Sequence, residues 1–259
     1  MSAEIPNVDE VMSITDPGEK NRENHLWGDR LMVGLSNVVA WLFPLLMVGI
    51  VTQVFIRKAG YNQAWLDDAQ WWMYGFAMLC GFGYAITTES HVRVDILHQS
   101  YSPRKKSRIE VLAHGWLLLP FLALMTDILL HYAFASIKAG EGSDSPNGLH
   151  MLYLLKSSLP ILFMAAIVAS WSAMVRHLKV LRRASLLGMI IGAFPFVWFV
   201  VQRLVHYSLW WFHRLTNSEL NPRRITREPV FDYTVMIALA VTLLLLLVAF
   251  LRSRSAQKD

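Results

Sequence analysis

A single cysteine, Cys80, stands in the 259-residue chain, which excludes an intrachain disulfide framework and a zinc cluster of the Cys-x-x-Cys kind. Charge is scarce as well. Asp, Glu, Lys and Arg make up 17% of residues against 54% hydrophobic, a balance outside that of ordinary soluble domains. No glycine-rich phosphate loop, nucleophile elbow or metal-ligand spacing occurs in the sequence, so no catalytic residue, metal or bound cofactor is expected of this chain. The net charge of +5 fits loop lysines and arginines that meet anionic headgroups, and does not point to nucleic acid.

What is abundant is apolar bulk, including ten Trp, thirteen Phe and twelve Met, gathered into long runs separated by short polar stretches. The pattern predicts an all-α, polytopic helical bundle in a membrane. Residues 1–30 form a polar tail with seven acids and three bases and lack the pattern of a cleavable signal. Four spans follow, at about Leu31–Ile56, Trp71–Thr88, Ile109–Ile137 and Leu152–Val175, making a core over 31–177 with a polar surface segment at 89–108. The extension 178–259 holds two further apolar runs, Leu186–Val205 and Val230–Leu251, joined by a polar and aromatic stretch from Tyr207 to Pro229. Six spans in this length leave no segment for a separate soluble domain. Cys80, inside an apolar run, reads as a small buried side chain.

Lysine and arginine usage sets the expected orientation. With both termini cytoplasmic, fifteen of the 24 basic residues fall on the inner side. The segment holding Arg214, Arg223, Arg224 and Arg227 departs from the rule. These arginines suit lipid phosphates, with an acidic face of a partner protein as the alternative.

Polar residues within the apolar runs are the natural candidates for function. Asp127 is the sharpest, because an acid near the centre of a span costs about 2.5–3.5 kcal/mol, and His131, one turn later, lies on the same helix face to share a hydrogen bond with it. Lys156 opens the fourth span, where its stem can carry the ammonium to the headgroups. Nine histidines also permit a haem-bearing membrane anchor of a respiratory oxidoreductase, with His131 paired to His206 or His114 to His177 as axial ligands.

Two blocks carry a resemblance. The run His91-Val92-Arg93-Val94-Asp95-Ile96-Leu97, after two spans and before Ser102-Pro103-Arg104, and the block Gly140-Glu141-Gly142-Ser143, Pro146, Gly148-Leu149, Lys156 and Pro160 resemble the small membrane subunit of tripartite ATP-independent periplasmic (TRAP) transporters, the DctQ-like family. The resemblance covers about Trp27 to His177. It implies a non-enzymatic subunit of the bacterial or archaeal inner membrane that scaffolds a larger membrane subunit, while a periplasmic binding protein delivers an organic acid. Coupling sodium is then expected in the large subunit, and the moving part of an elevator-type carrier works against a fixed part that this subunit enlarges. His91, Arg93, Asp95, Glu141, Ser143, Pro146, Lys156 and Pro160 become the expected motif and interface residues. The extension 178–259 lies outside the resemblance.

Overall fold

The structure, a computed structural model, describes residues 22–90, 100–181, 185–216 and 221–255. His91, Arg93 and Asp95 lie outside the described residues. Among the described residues there is helix and no strand, as the hydrophobic runs predict. The helices are α1 (Trp27–Val39), α2 (Leu42–Lys58), α3 (Ala64–Thr88), α4 (Pro103–Ala139), α5 (Leu152–Leu181), α6 (Leu186–Gly192), α7 (Phe194–Thr216) and α8 (Thr234–Ser255), with single turns at Pro222–Ile225 and Pro229–Tyr233.

Among the described residues four segments are long and apolar enough to cross a membrane: Trp27–Lys58, Pro103–Ala139, Leu152–Leu181 and Pro229–Arg254. The expected second span is present as α3. It begins at Ala64, ahead of the expected Trp71, and its 25 residues are long enough to span, but it is less apolar than those four. The expected fifth span is broken: α6 and α7 meet at 88°, and α7 continues through the stretch expected to be a connection as far as Thr216.

Prolines explain where the helices break. A proline has no N–H for the carbonyl four residues back, and its ring crowds that carbonyl. Pro44 withdraws the partner of Ala40, whose oxygen instead accepts from the Phe43 N–H at 3.1 Å, and α1 gives way to α2 there. Pro120 does the same to Trp116, and over Ala113–Leu118 helix α4 widens into a π-type stretch in which the Leu119 N–H reaches back to the His114 oxygen. Pro195 deprives Ile191, and the chain turns sharply between α6 and α7. The indole N–H of Trp116 donates to the orphaned Ile191 oxygen at 3.2 Å. Inside a bilayer such a carbonyl has no water to turn to, so the substitute donor makes the break tolerable.

The chain divides into two compact units, Met1–Ser100 with Met125–Arg176, and Tyr101–Leu124 with His177–Asp259. In the first unit α1 and α2 pack on α3. Its core is built from Met32, Cys80, Ile86 and Met174 with a stripe of fully buried alanines on α5, Ala166, Ala169 and Ala173. Small residues let helix backbones approach closely. Gly28 is the tightest such place: a Cβ there would lie 2.7 Å from Val168 Cγ1 and overlap the Ser172 hydroxyl. Cys80 is buried with its sulfur 3.6 Å from the Ser36 hydroxyl, as its apolar neighbourhood predicts. In the second unit α7 packs along α8, and α6 along α8 as well. Leu119, Leu122, Leu178, Ile225 and Ala238 are buried there.

Candidate functional site

Besides the Gln53, Arg57, Asp67 and Gln70 set that joins α2 to α3, two polar clusters of the first unit lie one at each end of α5. Arg176 and Lys156 stand 20 residues apart on that helix, about 30 Å at 1.5 Å per residue.

Around Arg176 lies a buried charge cluster. Asp29, in the first turn of α1, has no exposed surface. Its Oδ2 accepts from the Leu26 N–H at 2.9 Å, closing the start of the helix, and lies 3.8 Å from Arg176 Nε. Arg176 Nη2 donates to the Thr87 oxygen at 2.9 Å and reaches the Glu89 carboxylate at 3.5 Å. Glu89 caps α3 in the left-handed region at φ 55°, a conformation that costs an ordinary residue about 1–2 kcal/mol. Arg176 therefore grips both the last turn of α3 and the residue that turns the chain out of it, directly ahead of the His91–Asp95 motif. The arginine links α1, α3 and α5 in one contact set. His25 is buried beside it, and burial holds its imidazole below the ordinary value; the Asp29 carboxylate opposes this, while Arg176, Arg22 and Arg30 add to it. His25 Nε2, Asp29 Oδ1 and Thr87 Oγ1 make no hydrogen bond among the described residues, so the cluster is rich in polar atoms relative to its bonds.

At the other end of α5 the second motif block forms a compact loop. Lys156 Nζ donates to Glu141 Oε1 at 2.5 Å and sits 4.3 Å over the Tyr132 ring. This ion pair holds the Glu141 carboxyl below its ordinary range. The Ser143 N–H donates to the Leu149 oxygen at 2.9 Å, the Ser143 hydroxyl accepts from the Ser145 N–H at 3.2 Å, and Asp68 on α3 accepts from the Leu149 N–H at 2.9 Å. Gly148 lets this happen, because a Cβ there would lie 2.5 Å from Asp68 Oδ2. Pro146 is exposed at the tip and Pro160 is buried within α5.

The structure thus brings Glu141, Ser143 and Lys156 together, with Pro146 on the same loop, and gives Lys156 an ion-pair partner where headgroup contact was expected. Asp127 and His131 lie on one stripe of α4, Asp127 half-buried and His131 exposed. Of the histidines considered for haem, His131 belongs to the first unit and His206 to the second. His114 and His177 lie near-parallel with ring centroids 6.4 Å apart, and His114 Nε2 faces the Glu110 carboxylate at 3.7 Å. No group of three or more metal-ligating side chains occurs among the described residues.

Asp29, Asp68 and Arg176 escape sequence reasoning. Asp29 reads as the end of a polar tail and Arg176 as one more basic residue closing a span. The usable signal is position: Asp29 sits two residues before an apolar run, and Arg176 comes well before the helix ends at Leu181.

A family model described as the DctQ component of tripartite ATP-independent periplasmic transporters matches residues 46–180. No curated protein and no solved structure matches the chain.

Proposed function

Because the chain belongs to the DctQ component family of tripartite ATP-independent periplasmic transporters, we propose that it is the non-catalytic small membrane subunit of such a transporter, holding a larger membrane subunit in place. In this reading the large subunit carries the substrate and the coupling sodium, a periplasmic binding protein delivers an organic acid, and both termini of this chain face the cytoplasm. Family membership carries the reading.

The helix surfaces support it. Of the 17 residues of α2 only Gln53 is buried, and Phe55, Met47 and Val48 stand 67%, 64% and 64% exposed. Apolar faces of this extent need lipid or another membrane protein against them. The half-buried Asp127 with His131 on α4 favours protein over lipid on that stripe, given the cost of an acid against hydrocarbon. A rigid scaffold also fits an elevator carrier, in which one domain moves through the bilayer against a fixed one. The two polar clusters on α5 then tie the helices into one body, and the motif His91, Arg93 and Asp95 is the surface offered to the partner.

Reconstituted vesicles test this. Uptake of an organic acid down a sodium gradient should require this chain together with its large subunit and binding protein. Arg93→Ala with Asp95→Ala should lower the uptake rate without changing which acid is preferred. A changed preference, or full uptake without this chain, would contradict the scaffold role.

A further inference from the structure

Beside the break at Pro195, within the second unit, lies a groove of about 520 Å³. Two arginines of α4, Arg104 and Arg108, stand at it. They are four residues apart and so share a helix face, both are exposed, and neither makes an ion pair among the described residues. The remaining wall is apolar and includes Leu112, Trp116, Leu178 and Ile191. Among the described residues no aspartate or glutamate lines the groove, and the carboxylate closest in sequence, Glu110, faces His114 instead.

We propose that this groove binds an anionic phospholipid, its phosphate on Arg104 and Arg108 and the upper part of an acyl chain along Leu112, Trp116, Leu178 and Ile191. The charge pattern selects the class. A paired guanidinium site at the start of an apolar helix matches a phosphodiester at the headgroup level. A zwitterionic headgroup would bring an ammonium to a wall with no carboxylate among the described residues to receive it. The apolar surface distinguishes a lipid from free phosphate, because an inorganic ion would leave that surface unused. The volume holds a headgroup and the first part of a chain, so the tails run on into the bilayer. Trp116 serves twice: its N–H satisfies the carbonyl orphaned at Ile191, and its ring walls the groove that the break creates. The site thereby gives residues of the extension, around α6, a role of their own.

The test is mass spectrometry of the intact, delipidated full chain released from neutral detergent micelles, after titration with phosphatidylglycerol, phosphatidylcholine or inorganic phosphate. Phosphatidylglycerol should bind at one saturable site about tenfold or more tighter than phosphatidylcholine, and phosphate should not be retained. At about a fivefold factor for each basic residue near a membrane surface, Arg104→Ala with Arg108→Ala should weaken phosphatidylglycerol about thirtyfold. The matching lysine pair should retain most of the binding. Leu112→Trp, which fills the groove and leaves both arginines in place, should also weaken it. Equal affinity for the two lipids, indifference to both kinds of variant, retention of phosphate alone, or a second copy of the chain excluding the lipid would each overturn the proposal.

Discussion

Removing both partners of the Asp29–Arg176 pair should cost less than the two single removals added together. The separation of 3.8 Å gives an attraction of about 4 kcal/mol at an effective dielectric of 20, and desolvation of both groups offsets part of it. Arg176→Met leaves the Asp29 carboxylate with no exposed surface, the Leu26 N–H as its hydrogen-bond donor and no permanent positive charge bound to it. A loss of about 3–5 kcal/mol follows, as for other buried pairs broken from one side. Asp29→Asn is milder, about 2–3 kcal/mol, because the amide oxygen keeps the bond to Leu26 and Arg176 keeps the Thr87 oxygen at 2.9 Å and Glu89 at 3.5 Å. The double variant should lose about 2 kcal/mol less than the two single losses added. Equilibrium unfolding in mixed micelles, read by helical circular dichroism, measures all three. Additivity within about 0.5 kcal/mol would refute the claim that these charges act as one unit.

Other consequences follow from the same contacts. Asp68→Ala removes the acceptor for the Leu149 N–H and should cost about 1–2 kcal/mol, seen as faster proteolysis of the 140–151 loop. Gly28→Leu has no room between Val168 and Ser172 and should destabilise by about 1–3 kcal/mol in the same unfolding assay, with Gly28→Ala less affected. His25, with its folded-state value held below the ordinary 6.5, binds protons more readily when unfolded. Stability should therefore fall as pH drops below about 6.5, and His25→Asn should flatten that slope. Glu141 has a lowered value, so its contribution is present above the ordinary carboxyl range and disappears as pH falls through the lowered one. Lys156→Met should remove that acid limb from the loop's proteolysis profile.

The helical class, the boundaries of most apolar segments and the family were legible in the sequence because each rests on local pattern: run length, turn residues and two ordered motif blocks. The break at Pro195 was less so. A proline two residues into α7 reads equally as a helix start or a kink, and the Trp116 donor that stabilises the break is 75 residues away in sequence. The weaker apolar character of α3 was masked by its tryptophans, which suit an interface as well as a span. Glu141, Ser143 and Lys156 were found as motif members, yet their ion pair and turn needed the loop's path to be known. Asp29 and Arg176 were invisible as partners, since nothing local couples an acid at the start of one helix to a base near the end of another.

Isolation of the full chain in mild detergent from membranes that carry its natural partners tests the central claim most directly. A larger multi-span protein should copurify with it in fixed ratio, the sample should be colourless, and Arg93→Ala with Asp95→Ala should weaken the association. A chain that purifies alone, or one that carries the strong Soret absorption of a haem anchor, would contradict the account.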